Sequence, residues 1–298
     1  MVSGDAAMAA AMTLIGGTPA VVPYVPAAPT FAEFERRKSI DGALKRYWEG
    51  LGGFQTTDEK RVQASTGVCG SVYGEVTADG ARCVFEALGL YGEGPEAVFA
   101  DLGSGVGKLA AQAYVELPRV QRVLAVELAA DRHDNAREAW RRYVASGDAQ
   151  KQRLKSQTNF LGSSSARSFE EAALQFRCAD ATRNNRALLA GVTHCYVANL
   201  CFDDEASARL GAALAATPSV RRVAALKSLG GADAGLGRHR NYNRPQAVVD
   251  ANLQAQSEPE YLATLAGVLT LTAKFQAKMT WNTLPGHPGT DVLLYERY

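Results

Sequence analysis

The chain has 298 residues, 47% of them hydrophobic, and its 32 Lys and Arg residues nearly balance 31 Asp and Glu residues for a formal net charge of +1. This composition predicts a full-sized buried core and excludes a mostly disordered chain. The balance of charge also excludes a surface that is basic all over, so any contact with an acidic partner must be local.

Three further classes are disfavoured by residue spacing. The five cysteines form no CxxC pair, which favours reduced thiols and an intracellular compartment. The four histidines have no HxxxH or HxH spacing, so no metal site is predicted. No apolar run reaches the roughly 18 to 20 residues that span a bilayer, and no membrane contact is expected.

The amino-terminal part divides into two segments. Residues 1–29 are rich in Ala and Pro and are predicted to be flexible. Residues 30–66 are predicted to form a small helical region, because FAEFERRKSIDGALKRYWEGL, capped by Thr30, places apolar residues near one stripe. Those residues are Phe34, Leu44, Tyr47, Trp48 and Leu51. A polar segment then leads to a second helical pattern, ADGARCVFEALGLYG.

From Val98 onward, short apolar runs alternate with amphipathic helical patterns. The runs VFADLG, VLAVEL, LQFRCAD, HCYVANL and VRRVAALKSL each predict a strand buried on both faces. The final stretch, KMTWNTLPGHPGTDVLLYERY, predicts two strands joined by a Gly/Pro turn. The expected fold is therefore α/β, Rossmann-like, with a mostly parallel seven-stranded sheet and a carboxyl-terminal antiparallel hairpin.

Two segments of this region are not predicted to be regular. QKQRLKSQTNFLGSSSARS has low complexity. SLGGADAGLGRHRNYNRP is glycine-rich and follows the fifth strand, so it is expected to be a mobile surface loop beside the site.

The stretch FADLGSGVGK, residues 99–108, resembles a nucleotide loop, but it lacks the chemistry of the common ones. Lys108-Leu109 offers no hydroxyl for the magnesium of a triphosphate loop, and Lys108 stands at the last glycine of GxGxxG. An acid directly before three evenly spaced glycines suits a ligand whose amino-acid end lies over the loop, such as S-adenosylmethionine. The predicted cofactor-binding residues here are Asp101, Gly103, Ser104, Gly105, Gly107 and Lys108; the alternative is a tight turn with a capping acid.

Two more strand ends carry acids. Glu127 ends VLAVEL about 20 residues after the glycines, where an acid can accept hydrogen bonds from both ribose hydroxyls. Asp180 ends LQFRCAD and is expected to accept from the adenine amino group. Acids at three successive strand ends predict an S-adenosylmethionine slot in a class I methyltransferase-like fold.

Asn199, after the fourth strand, is the predicted catalytic residue. Methyl transfer to an amine needs a neutral nitrogen aimed along the sulfonium–methyl bond, and an amide oxygen can accept an amine hydrogen and fix that aim. A lysine, with a pKa of about 10.4, must be desolvated to attack, and Phe202 and Trp281 are expected to line an apolar channel. The alternative is an asparagine that only turns the chain.

Together DLGSGVG, the upstream VYGEV with Thr77, AVEL, the VxNxxF pattern of residues 197–202 and Thr280-Trp281 resemble the Dot-type histone lysine methyltransferases, which lack the SET fold. The resemblance covers residues 67–298, the predicted methyltransferase domain. It implies a nuclear enzyme that methylates a lysine of histone H3 on the nucleosome core. It also implies that Tyr73, Glu75 and Thr77 belong to a loop that folds over the methionine end of the cofactor, and that Asn199 lies at the mouth of the lysine channel.

The sequence departs from that family at two places. Lys108 stands where the family commonly has glutamine, and Thr290-Asp291-Val292 stands where aromatic residues commonly reach the lysine channel. Long basic extensions are absent from this sequence, so contact with nucleosomal DNA would depend on local patches. The candidates are Arg36–Lys38, Lys151–Lys155 and Arg238–Arg244.

Two other functions stay open on the sequence alone. One is a methyltransferase for a non-histone protein lysine or for a nucleic-acid amino group, although Asn199-Leu200-Cys201-Phe202 lacks the two prolines typical of adenine enzymes. The other is a non-catalytic cofactor-binding module within a chromatin complex, which the combination of Asn199 and the three acids disfavours.

Overall fold

A computed structural model describes residues 29–54, 56–67, 73–92, 97–161, 169–183, 187–230, 264–265, 268–282, 286–287 and 289–297. Residues 1–28 and 231–263 are outside these ranges. The predicted flexible amino-terminal segment therefore lies almost entirely outside the described residues, as does most of the predicted glycine-rich loop, with Arg238, Arg240 and Arg244.

Helices and strands alternate along the described chain. The helices are α1 (Phe31–Tyr47), α2 (Glu59–Thr66), α3 (Ala78–Ala87), α4 (Lys108–Glu116), α5 (Ala130–Ala145), α6 (Asp148–Leu161) and α7 (Asp204–Ala215). The strands are β1 (Ala97–Leu102), β2 (Val120–Glu127), β3 (Leu174–Cys178), β4 (His194–Val197), β5 (Arg222–Ala225), β6 (Thr264–Leu265), β7 (Leu269–Ala277) and β8 (Thr290–Arg297). Two short 3-10 turns cover Glu171–Ala173 and Asn199–Cys201.

All strands belong to one sheet with the order β3-β2-β1-β4-β5-β8-β7-β6. The first five strands pair in parallel, and β8, β7 and β6 add to the edge in antiparallel fashion. The predicted mostly parallel sheet with a carboxyl-terminal antiparallel hairpin is confirmed; the two-residue β6 lies at the sheet edge beyond the predicted seven strands. The order reverses direction between β1 and β4, which is where open α/β sheets bind ligands.

One boundary of the predicted hairpin was wrong. Its first strand, β7, ends at Ala277, whereas the prediction began the hairpin at Lys278. The preceding run LTLTAKFQA carries the strand, which pairs with β8 along its length with one register shift between Leu271 and Ala273. Met279 forms an isolated antiparallel bridge with Val76, so the segment after β7 lies against the segment before α3.

Helix α1 packs against α4, α5 and α6, and the predicted stripe is buried at Leu44 and Trp48 but not at Phe34. Its buried residues are Arg36, Ile40, Ala43 and Leu44, whereas Phe34 is 52% exposed. Arg36 takes the inner position because its guanidinium donates to the Glu116 carbonyl and the Ser156 hydroxyl. These bonds satisfy a buried cation and set the rotation of the helix.

Helix α6 occupies the segment predicted to be of low complexity. Its inward face is polar: Gln152, Arg153, Ser156 and Gln157 are all buried. Arg153 donates to the carbonyls of Tyr114, Leu117 and Val120, closing the carboxyl end of α4 and the start of β2. Because these four buried side chains are polar, the sequence of α6 shows no helical periodicity of hydrophobic residues.

The core has two parts, one on each side of the sheet. The larger lies under α1, α3, α4 and α5 and includes Phe85, Phe99 and Tyr143. The smaller lies under α7 and includes Leu102, Leu210 and Tyr295. Within the part of the chain that the structure describes, no helix is long and apolar enough to cross a membrane.

Candidate active site

A pocket with an empty volume of about 430 Å³ lies at the carboxyl ends of β1 and β4, where the strand order reverses. Its floor is formed by the end of β1 and the glycine loop, and one wall by the ends of β4 and β5. The segment before α3 and the residues after β7 form the opposite wall. Its lining comprises Tyr73, Gly74, Glu75, Val76, Asp101, Gly103, Ser104, Gly105, Lys108, Leu109, Tyr196, Ala198, Leu226 and Trp281.

The glycine loop turns the chain from β1 into α4. Gly103, Gly105 and Gly107 all have positive φ, a conformation that L side chains rarely adopt. The amides of Gly103 and Ser104 both donate to the Val126 carbonyl on β2, at 2.9 Å. Gly107 is internal, since a Cβ there would lie 2.8 Å from the Phe176 ring, so it shapes the loop without lining the pocket.

Asp101 is the most unusual group at the floor. Its side chain is buried, at 2% exposure, and its Oδ2 has no hydrogen-bond partner among the described residues. Burial, and next the negative charge of Glu127, raise its pKa to about 8. A buried acceptor that faces a pocket without a donor is suited to a cationic or hydrogen-bond-donating ligand.

An ion pair stands at the rim above Asp101. The Lys108 ammonium, on the first residue of α4, lies 2.7 Å from Glu75 Oε2. The other Glu75 oxygen accepts a 2.7 Å hydrogen bond from the Tyr73 hydroxyl. The predicted residues Tyr73, Glu75 and Lys108 are therefore brought together at the pocket.

Tyr73 covers part of the glycine loop. Its hydroxyl accepts from the Val106 amide at 3.3 Å, and a Cβ on Gly105 would lie only 2.6 Å from that oxygen. The Arg132 guanidinium stacks on the other side, 4.7 Å from the ring centroid. Tyr73 is thus held between the loop and α5, and burial together with Glu75 raises its pKa.

Glu127 lies behind the loop and outside the pocket lining. Its two carboxylate oxygens accept hydrogen bonds from the Gly105 and Ala129 amides, both at 2.8 Å, and Glu127 is 7% exposed. Burial raises its pKa although both amides stabilise the charged form. The Tyr73 ring packs on Gly105, the residue whose amide donates to Glu127.

Asp180 makes a set of contacts away from the pocket. Ser65 on α2 donates to Oδ2 at 2.6 Å, and both the amide and the hydroxyl of Thr182 donate to Oδ1. Arg183 lies 3.5 Å from Oδ2. These donors hold its pKa below the ordinary value despite partial burial. In the structure the carboxylate fixes α2 to the end of β3.

Asn199 does not have the orientation that the sequence predicted. Its side chain is fully buried, its Oδ1 accepts from the Lys227 amide at 3.0 Å, and its Nδ2 donates to the Lys227 carbonyl at 2.9 Å. The amide thus joins the end of β4 to the end of β5. The pocket wall beside it is Ala198, which has no polar side-chain atom.

Of the two predicted channel residues, Trp281 lies at the pocket and Phe202 does not. Trp281 is 39% exposed at the pocket rim, with its indole donating to Thr290 Oγ1, and its ring packs on Gly74, where a Cβ would clash at 2.3 Å. Phe202 packs against the core on the other side of the sheet. Thr77 caps α3, because its hydroxyl accepts from the Gly80 amide and donates to the Lys278 carbonyl.

Tyr196 is the pocket residue that sequence reasoning missed. It pairs with Asp101 in the register of β4 and β1, and both side chains lie on the same face of the sheet. Burial raises its pKa, as does the nearby Asp101 charge. The alternation of side chains along a strand places Tyr196 on the same face as Ala198. The sequence HCYVANL, however, indicates a strand that is buried on both faces, which predicts a core position for Tyr196.

The comparisons with known proteins point to one family. A family model described as "Histone methylation protein DOT1" matches residues 56–257, more than half of the chain. No match was found among curated proteins. Within the described parts of the chain, no group of His, Cys, Asp and Glu side chains could hold a metal ion.

Two of the solved structures that resemble this chain are the following. Geranyl diphosphate C-methyltransferase from Streptomyces coelicolor A3(2) is 16% identical, with 92% of this chain and 100% of that chain covered and a TM-score of 0.44. TrmN from Thermus thermophilus is 18% identical, with 73% and 48% covered and a TM-score of 0.40. The chain thus spans about half the length of TrmN.

Proposed function

The chain belongs to the DOT1 family of histone methylation proteins, and from that premise we propose that it transfers a methyl group from S-adenosylmethionine to a lysine of histone H3 on the nucleosome core. It acts in the nucleus, where its substrate is packaged. The observation that carries the proposal is the buried, unpartnered Asp101 Oδ2 at the floor of the pocket.

The pocket suits the amino-acid end of the cofactor. Asp101 supplies the missing partner for an α-ammonium group, and it lies in the low-dielectric setting where such a charged hydrogen bond is strong. Lys108 supplies a cation for the α-carboxylate, once its ammonium turns from Glu75. The glycines with positive φ have no side chains, so a ligand can lie close to the backbone of this loop.

We further propose that Glu127 and Asp180 face the nucleoside. The Glu127 oxygens each accept one amide and keep a lone pair for a ribose hydroxyl. Access requires the Tyr73 ring to move off Gly105, after which Tyr73 and Glu75 close over the methionine end. Asp180, close to α2, is the proposed acceptor for the adenine amino group.

Bound cofactor supplies an electrophilic methyl group on a sulfonium sulfur, and the chain must supply a neutral amine on the opposite side. Trp281, at the rim, and Leu226, in the wall, provide apolar surface along which a lysine side chain can lie. Desolvation there favours the neutral amine over the ammonium form.

Asn199 is proposed as a positioning residue. Its two hydrogen bonds to Lys227 hold the ends of β4 and β5 together, so that Ala198 and Leu226 form a continuous wall. Tyr196 on β4 is among the pocket-lining residues, and we propose that its hydroxyl helps to orient the amine.

Transfer of a labelled methyl group measures this function. The chain is incubated with labelled S-adenosylmethionine and, in parallel, with intact nucleosomes, free histones, an unrelated lysine-rich protein and nucleic acid. We expect label on histone H3 within nucleosomes. Label on nucleic acid or on the unrelated protein alone would reject the histone substrate. Cofactor binding without any transfer would identify a non-catalytic module.

A further inference from the structure

A second concave surface lies between α1 and α6, away from the pocket. It has an empty volume of about 940 Å³. Four basic side chains line its walls, namely Lys38 and Arg46 on α1 and Lys151 and Lys155 on α6. The fold thereby joins the predicted basic patch at Lys38 to the patch at Lys151–Lys155, which are far apart in sequence. We call this surface the α1–α6 groove.

The cations of the groove are exposed and regularly spaced. Side-chain exposure is 68% for Arg46 and 71% for Lys151. Lys151 and Lys155 are one helical turn apart, about 6 Å along the axis, and Lys38 and Arg46 are about 12 Å apart. Such rows match a repeating line of negative charges better than a single anion.

Acidic residues in the groove cancel only part of this charge, because two acids face four cations. Asp148 accepts from the Tyr47 hydroxyl at 2.6 Å and lies 3.7 Å from Arg46 and 3.6 Å from Lys151. Asp148 therefore offsets one unit of the positive charge that Arg46 and Lys151 bring to the groove. Glu35 is the other acid in the lining, against four cations.

Gly42 gives an independent indication of a partner. It lies in the middle of α1 at the groove, is exposed, and a Cβ built there would meet nothing within 4 Å. Glycine at such a position weakens a helix relative to alanine, and no neighbour in the structure requires it. Its missing side chain keeps the groove open to something that approaches the backbone closely.

We infer that the α1–α6 groove binds the sugar-phosphate backbone of duplex DNA. This inference rests on the proposed function, since nucleosomal DNA surrounds the proposed substrate. The lining contains no aromatic side chain for base stacking and no large aliphatic side chain to anchor a peptide helix. Exposed cations beside Ser39 and Gly42 instead suit phosphates, which are contacted without reading sequence.

The groove is close to the active site at one end. Trp48, two residues after Arg46, donates its indole hydrogen to the Val106 carbonyl in the glycine loop at 2.6 Å. The end of α1 that carries Arg46 is thereby joined to the cofactor loop through Trp48. This arrangement lets DNA contact orient the enzyme on the nucleosome.

The test uses the full chain without cofactor and a short mixed-sequence DNA duplex, with affinity measured by fluorescence anisotropy over a range of salt concentrations. Lys151→Glu with Lys155→Glu should weaken binding about tenfold or more, and the slope of log affinity against log salt should fall by about 2. Lys60→Glu with Arg221→Glu makes the same change in net charge at exposed positions elsewhere and should have little effect.

Gly42 supplies a second test that does not alter charge. Gly42→Gln should fill the groove and weaken DNA binding, while the midpoint of thermal unfolding stays the same or rises. Gly42→Ala should be more stable than the wild type, with a smaller loss of affinity.

Two outcomes overturn the inference. Equal losses in the groove and control double variants would indicate only the overall charge of the protein. Unchanged DNA affinity with lost binding to histone dimers would assign the groove to an acidic protein surface. Because DNA binding is measured without methyl transfer, a failure of the proposed activity is separately visible.

Discussion

The buried carboxyl group of Asp101 lowers the stability of the folded protein when it is charged, and it is the proposed partner of the cofactor's α-ammonium group. In the unfolded chain its carboxyl group titrates near pH 4, whereas burial, and then the charge of Glu127, raises the folded pKa to about 8. Between these values the folded protein holds a proton that the unfolded chain has released. The free energy of unfolding therefore falls as pH rises across this window.

We predict that Asp101→Asn is more stable than the wild type at pH 8 and that the difference shrinks toward pH 4. The reason is that asparagine fills the site without a charge that must be desolvated. Urea denaturation of both proteins at several pH values measures this. Parallel pH dependence in the two proteins would show that the Asp101 pKa is not raised on folding.

Asn199 shows how a single residue limits sequence reasoning. The strand β4 ends at Val197, and a 3-10 turn begins at Asn199, so the alternation of faces cannot be extended past Ala198. A shift of one residue turns a side chain to the opposite side of a sheet. The sequence located the strand end correctly, but Ala198 and Tyr196 face the pocket.

At the scale of elements, hydrogen bonds from the end of α1 and from α6 fix the glycine loop before α4 and the carboxyl end of α4. Trp48 fastens the loop, and Arg153 on α6 fastens the carboxyl end of α4 through carbonyls that have no helical partner. Arg153 is 3% exposed, and its burial lowers its pKa to about 10. This helix was missed in the sequence because its buried face is polar.

Replacing Arg153 by Met should lower the free energy of unfolding by about 2–4 kcal/mol, since several buried carbonyls lose their donor. Lys155→Met, an exposed change on the same helix, is the matched control. Denaturant unfolding compares the two. A loss for Arg153→Met no larger than for the control would mean that Arg153 does not hold α4 in place.

For the whole molecule, the order of strands and helices after Val98 could be predicted because each parallel strand is an apolar run and each following helix is amphipathic. The acids at the strand ends were found for the same reason. What could not be predicted is which polar atoms the protein itself satisfies. Asp180 and Asn199 bond to distant segments, Ser65 and Lys227, whereas Asp101 Oδ2 has no partner among the described residues.

The central claim is that this fold presents Asp101 to the amino-acid end of S-adenosylmethionine. Calorimetric titration with S-adenosylmethionine and with 5′-methylthioadenosine, which lacks that end, tests the claim in wild type and Asp101→Asn. We predict that the variant loses about tenfold or more in affinity for S-adenosylmethionine, because a charged hydrogen bond is removed, and keeps its affinity for methylthioadenosine. Equal losses for both ligands, or a wild type that binds neither, would contradict it.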